Sequence, residues 1–183
     1  LEPAELKFRR FWNPEASQIF KPKDFDAAAS RLREVFQDSV EFCLRSDRPV
    51  GVSLSGGLDS SCVLGQAVEL LRKKNLEGPA VYSAYFQEAN YSEQVFVQRT
   101  LDHWKLQGSS IFPAAESFLK DCDQFLLDLN EPPSSLSQYA AWCVMRLAAS
   151  RGQKVMLSGE GADEFFSGYW SSYYYYLRSC LFS

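Results

Sequence analysis

The sequence predicts an α/β fold in which helices cover both faces of a parallel sheet. Short apolar runs at 50–54, 80–86 and 154–158 have the length of buried strands. The stretches between them carry apolar residues at helical spacing, and strands that alternate with helices assemble into parallel sheets. The first and last runs both lead into glycine turns rich in serine and acid, at the strand ends where such sheets bind ligands.

Each element follows from local pattern. Residues 1–23 read as an irregular arm punctuated by Pro3, Pro14 and Pro22, with Phe11 and Trp12 expected to pin it down. Residues 24–45 place Phe25, Ala29, Leu32, Val35, Phe36, Val40 and Cys43 at helical spacing, capped near Asp24. A strand at 50–54 precedes a helix that runs to about residue 75, and a second strand covers 80–86. Residues 92–106 form a helix, and Asn90 with Glu93 fits a capping box. A short strand at 109–112 and a helix at 116–129 follow. Pro132 and Pro133 stop that helix, because proline disfavours helical backbone in the residue before it. Residues 137–151 form a helix with Ala140, Val144 and Leu147 inward, and the last strand is 154–158. The tyrosines at 173–176 read as partly buried packing. No repeat or linker divides residues 24–183, which are read as one domain.

Composition excludes several classes. Of the 183 residues, 46% are apolar and 15% aromatic, too many for a disordered chain. A net charge of −4 and a pI near 5.1 argue against a nucleic-acid surface. The basic triplet Arg72-Lys73-Lys74 falls at a helix end, where cations favour the negative pole of the dipole. No apolar run reaches membrane-spanning length, and no signal peptide opens the chain. The cysteines are scattered without a CxxC or Cys/His cluster, so zinc is not indicated. Most fall in helices, are expected to be core thiols, and suit a reducing cytoplasm.

The chemistry is concentrated in Ser55-Gly56-Gly57-Leu58-Asp59-Ser60. A glycine turn between strand and helix presents backbone N–H groups and a helix N-terminus to an anion. Gly56 and Gly57 let the backbone approach a phosphate, and Ser55, Ser60 and Ser61 add hydroxyl donors. No lysine follows, so this is not the phosphate loop of the common NTPases. Asp59 beside a phosphate requires a bridging cation, and hard carboxylate and phosphate oxygens suit Mg²⁺. The pattern reads as the SGGxDS loop of the ATP pyrophosphatases. A plain glycine turn is the alternative.

The second motif is Ser158-Gly159-Glu160-Gly161-Ala162-Asp163-Glu164, followed by Gly168-Tyr169. Clustered carboxylates need cations or donors around them unless they are fully solvated. Together the motifs read as two walls of one crevice, with Asp59 and Asp163 the candidate Mg²⁺ ligands.

In these stretches the sequence resembles the asparagine synthetase family, in its synthetase domain. The matching segments are 48–61, 157–164 and Gly168-Tyr169, with weaker matches at Phe11-Trp12-Asn13-Pro14, Tyr91-Ser92-Glu93 and Asn130-Glu131-Pro132. The resemblance implies the adenine nucleotide α-hydrolase-like fold of the ATP pyrophosphatases, with a C-terminally incomplete domain. It implies ATP and Mg²⁺ as cofactors, and adenylation of a carboxylate, the aspartate side chain, followed by transfer to ammonia. Asparagine, AMP and pyrophosphate would be the products. It also implies that Ser55, Gly56, Gly57, Asp59 and Ser60 grip the phosphates and that Leu54 and Tyr85 flank the base. Ser158 and Gly159 would contact base or ribose, and Glu160 would be the base for the attacking amine. Glu160 capping the following helix is the structural alternative.

Departures from the family bear on activity. The family's glutaminase domain, with its N-terminal cysteine, is not in this chain, so ammonia would come free or from another domain or subunit, the amidotransferase arrangement. The family's phosphate-binding lysine after the second motif has no counterpart, and only Arg178 is available. Nucleotide binding is therefore expected ahead of turnover by this chain alone. β-Lactam synthetases and lasso-peptide cyclases share the scaffold, and a catalytically silent nucleotide-binding module is a further alternative. Glu93 reads as a helix cap and Glu131 as either a loop acid or a crevice residue. His103, beside Trp104, reads as packing.

Overall fold

The computed structural model describes residues 7–11, 21–86 and 93–182. Trp12, Asn90 and the Tyr91-Ser92 pair lie outside the described residues, while Phe11 is 96% exposed. The chain divides into two compact units, 1–36 and 37–183, and the boundary falls within the first helix, α1 (Phe25–Cys43). Asp24 Oδ1 accepts from the Ala27 N–H at 2.8 Å, which is the expected cap. Phe25, Leu32 and Val35 on α1 are exposed, and Val40 is buried.

The larger unit runs β1 (Val50–Ser53), α2 (Leu58–Lys73), β2 (Ala80–Ala84), α3 (Gln94–Trp104), β3 (Gly108–Ile111), α4 (Ala115–Leu129), α5 (Ser137–Ser150), β4 (Val155–Leu157), α6 (Ala162–Phe166) and α7 (Trp170–Phe182). The strands form one parallel sheet in the order β3-β2-β1-β4. β1 pairs with β2 on one side (Val52 opposite Val81) and with β4 on the other (Val52 opposite Leu157).

The register shows which helix covers which face. Tyr82 packs with Val144 and Ala148 of α5, and Met156 joins that cluster. Val81 and its partner Gly108 point the other way, and a Cβ on Gly108 would meet the Leu101 side chain of α3 at 2.9 Å. α5 and α3 therefore lie on opposite faces, as expected for an open parallel sheet. α2 packs on α3 through Gly65, where a Cβ would meet Trp104 at 3.1 Å. Val52, Leu64, Val68, Val81 and Val97 are fully buried in this layer.

Arg72 of the basic triplet donates to the Trp104 carbonyl and lies over that indole, while Lys74 pairs with Glu41 at 2.9 Å. These charges hold helix ends together. His103 is exposed and stands edge-on to Trp104 at 4.9 Å.

α4 and α5 clasp an aromatic cluster. Phe125, wholly buried, is edge-on to Phe118, Tyr139 and Trp142, with centroids 5.5–6.2 Å away. The polar tips of these rings find acids on α4. The Tyr139 hydroxyl donates to Asp121 at 3.0 Å and the Trp142 indole to Asp128 at 2.8 Å. Arg146 reaches the other Asp121 oxygen at 2.9 Å. Arg146 first, and then Tyr139, holds the Asp121 carboxyl below its usual range, and Trp142 with Gln124 does the same for Asp128. Burial is the main reason the Tyr139 phenol is pushed up.

Two expectations are corrected here. Only Cys143 is a buried thiol, its pKa raised by that burial, whereas Cys43, Cys62 and Cys180 are exposed. The tyrosines at 173–176 are 58–66% exposed, because α7 carries apolar residues all round and has none buried. Helical periodicity alone does not reveal whether a partner surface is present.

Phe125→Ala is expected to cost about 3–5 kcal/mol, read as a lowered urea midpoint at constant slope. The Asp121 and Asp128 carboxyls have depressed pKa values in the folded state. Their contribution is full above the ordinary carboxylate pKa and is lost as pH falls through the folded values, below about pH 4. Acid titration of unfolding should show this loss, and Asp121→Asn should flatten it.

Candidate active site

β1 and β4 are distant in sequence but adjacent in the sheet, and the strand order reverses between them. Their carboxyl ends therefore bring the two glycine turns together at the switch point. Leu54 extends the β1 ladder by one residue, its N–H donating to the Tyr82 carbonyl at 2.9 Å, before the chain turns at Ser55.

Gly56 has φ +93°, a backbone state glycine adopts without a Cβ penalty. A Cβ there would also meet the Glu93 Cβ at 3.0 Å and its carbonyl at 3.1 Å, so the start of α3 backs the turn. Glu93 precedes α3 without a side-chain cap bond. Ser60 Oγ, in a 4% exposed residue, accepts from the Ser55 N–H at 3.2 Å and donates to the Gly57 carbonyl at 3.3 Å. It lies 3.0 Å from Ser55 Oγ, which accepts from the Gly57 N–H at 3.3 Å. A hydroxyl has one proton, so a Ser60 that serves Gly57 takes its bond from Ser55. The two hydroxyls thus stitch the turn closed. No side chain caps the N-terminus of α2, and an uncapped helix start is where backbone N–H groups can meet an anion.

The second turn leaves β4 at Ser158 and Gly159, and Gly161, at φ +92°, opens α6. A Cβ on Gly159 would stand 2.6 Å from the Ser60 nitrogen and 2.9 Å from the Asp59 carbonyl carbon. The two turns are therefore in backbone contact. Beyond α6, the Tyr169 hydroxyl donates to Glu164 Oε1 at 3.0 Å, and that bond raises the phenol pKa.

The turns enclose a crevice of about 450 Å³. Ser55, Gly57, Asp59 and Ser60 line one wall, and Ser158, Gly159, Glu160 and Asp163 line the other. Ser53, Gly161, Glu164 and Tyr169 also line it, and no role for them follows from the sequence pattern. Tyr169 lay within the matched motif. Ser53 could have been found as the last residue of the strand that ends at the site.

Several expected residues lie elsewhere. Leu54 and Tyr85 stand at strand ends but are 1% and 7% exposed and outside the crevice lining. Tyr85 packs edge-on to Phe112 at 5.7 Å, and burial raises its pKa. Gly56 shapes the turn from behind. Ser61 does not line the crevice, and its N–H bonds to Gly57. Glu131 is exposed after α4, and Arg178 sits on α7 with Tyr175 and Phe182, both away from the crevice lining.

The crevice is strongly acidic. Asp59, Glu160, Asp163 and Glu164 line it, and among the described residues no lysine or arginine does. Among the described residues no three His, Cys, Asp or Glu side chains form a metal cage. Asp59 and Asp163, one from each wall, are hard oxygen donors of the kind of which Mg²⁺ takes one or two.

The asparagine synthase family matches residues 31–182. The chain belongs to that family. A putative glutamine-hydrolysing asparagine synthetase of Methanocaldococcus jannaschii is 31% identical, over 92% of this chain and 32% of its own length. Glutamine-hydrolysing asparagine synthetase 1 of Bacillus subtilis is 30% identical, over 82% of this chain and 23% of its own length. Amidase chry2 of Gibberella zeae is 26% identical over 87% of this chain. The chain thus spans about a quarter to a third of the length of these family relatives. An NH3-dependent NAD synthetase from Campylobacter jejuni aligns with a TM-score of 0.44 at 17% identity, covering 80% of this chain and 61% of that one. No helix among the described residues is long and apolar enough to cross a membrane.

Gly159→Ala is expected to force the two turns apart, because its clash is with backbone that cannot rotate away. A loss of about 1–3 kcal/mol in urea unfolding checks this.

Proposed function

We propose that the chain is the nucleotide-binding part of an ATP-dependent amide ligase that adenylates a carboxylate and passes the acyl group to ammonia. Family membership supports the ligase class. The observation that carries the reading for this chain is the crevice itself, where an uncapped helix N-terminus faces carboxylates from a second turn.

The triphosphate would lie along the turn at 55–60, its β- and γ-phosphates on the first amides of α2. Asp59 and Asp163, one from each wall, would hold Mg²⁺ against the phosphates. When bound, the metal supplies charge neutralisation for the departing pyrophosphate. A substrate carboxylate oxygen attacks the α-phosphorus, the bond to the bridging oxygen breaks, and pyrophosphate leaves. The amides of the turn stabilise that charge where it develops. Ammonia then attacks the acyl carbon, AMP leaves, and Glu160 on the second wall takes the proton shed by nitrogen. Ser158 and Gly159, beside it, would contact the nucleoside, with Leu54 and Tyr85 behind them at the strand ends. Aspartate is the proposed carboxylate and asparagine the product, with ammonia delivered from a glutaminase domain or subunit. The reading implies a cytoplasmic setting.

A second reading draws on the lack of any lysine or arginine in the crevice lining among the described residues. With no fixed cation, a bound polyphosphate would depend on the metal and the backbone amides of the turn, and a module that binds nucleotide without turnover would look the same. The amidase relative likewise leaves room for another carboxylate, as in β-lactam synthetases and lasso-peptide cyclases.

Calorimetric titration tests nucleotide binding, and turnover separates a ligase from a silent module. Mg-ATP should bind and GTP should not, and Asp59→Ala and Asp163→Ala should each lose binding while staying folded. A folded chain with no affinity at millimolar Mg-ATP sinks the nucleotide reading. Glu160→Gln should keep Mg-ATP binding but lower ammonia-dependent AMP release by about 10²–10⁴-fold, which a silent module could not show.

A further inference from the structure

The turn that ends α6 is built around Asp163. Ser167 and Gly168 both direct their N–H groups to the Asp163 carbonyl, the latter at 3.0 Å. This folds the chain back until Gly168 lies on the Asp163 side chain. A Cβ at 168 would stand 1.9 Å from Asp163 Oδ1, 2.5 Å from Cγ and 3.0 Å from Cβ. The backbone does not demand glycine at this point, since Gly168 is not among the residues with positive φ. Its neighbour Ser167 has φ +59°, where glycine would be easier. The chain has glycine where space is short and serine where the backbone is strained.

We propose that Gly168 is a positioning residue that lets the Asp163 carboxylate keep the rotamer lining the crevice, by carrying no Cβ where Oδ1 and Cγ lie. This rests on the reading of Asp163 as a metal ligand. An alanine at 168 drives the carboxylate to another staggered rotamer or opens the turn. Mg²⁺ demands near-ideal octahedral geometry and tolerates a displaced oxygen poorly. Substitutions behind metal ligands commonly cost about 10–100-fold in affinity. The clash is with a side chain, so removing that side chain should remove the penalty.

The test is Mn²⁺ binding in the presence of ATP, followed by the loss of the free-ion paramagnetic resonance signal, with thermal unfolding alongside. The proteins are the parent chain, Gly168→Ala, Asp163→Ala, the double variant and Ser167→Gly. Gly168→Ala should weaken Mn²⁺ binding about tenfold or more. In the Asp163→Ala background it should add nothing. The unfolding temperature lost on Gly168→Ala should be regained in the double variant, because the colliding Oδ1 and Cγ are gone. Ser167→Gly should bind Mn²⁺ as the parent does.

Parental Mn²⁺ affinity in Gly168→Ala, with Asp163→Ala impaired, overturns the positioning role alone. An equal loss in Ser167→Gly overturns it in favour of the turn's backbone. A double variant no more stable than a poorly folded Gly168→Ala overturns the side-chain collision. Full affinity in folded Asp163→Ala overturns the metal reading and the positioning role with it.

Discussion

The site depends on a contact with no room for a side chain, the approach of Gly159 to the Asp59–Ser60 backbone. Strand order 3-2-1-4 makes β1 and β4 neighbours, and their parallel direction sends both carboxyl ends to one edge. Without glycine at 159, the turns would be held apart. With it, the carboxylates after β4 face the helix N-terminus after β1. Each strand end supplies half of the site, and the pairing of β1 with β4 holds the halves in register.

The electrostatics follow from the same contact. An uncapped helix N-terminus attracts anions, whereas several carboxylates gathered in one crevice repel them. The proposed ligand, a polyphosphate with its divalent cation, carries both signs and would resolve the opposition. The loop hydroxyls shape the turn. Ser55 and Ser60 bond each other and the turn's backbone, so they hold its amides in place. After α6, Gly168 and Tyr169 fasten the acids of that helix, one by clearance and one by a hydrogen bond.

Elements with strong periodicity were legible. The helix at 116–129 differs from α4 by one residue, and 137–151 matches α5 to its last residue but one. Strand 80–86 was read two residues longer than β2, because the apolar run continues through Tyr85, whose N–H still reaches the Ile111 carbonyl at 2.9 Å, and on to Phe86. α6 and α7 were not read as helices. α6 is a five-residue turn between two left-handed residues, and α7 has no amphipathic face. The cysteines and the tyrosine run were misplaced for one reason. Residue type predicts average burial, but burial at a position depends on what packs there.

The sequence by itself determined the strand and helix order as far as β4, the two glycine turns, the family, and the carboxylates available to the site. These are local properties, written in periodicity and in residue types at fixed offsets. Only the tertiary structure decided that Leu54 and Tyr85 turn into the core and that Arg178 lies away from the crevice lining. It also decided which glycines are there for φ and which for clearance. Gly56 and Gly161 occupy left-handed backbone, whereas Gly159 and Gly168 leave space for atoms of another segment or turn. That distinction rests on tenths of an ångström between residues brought together by sheet order, a quantity no pattern along the chain contains.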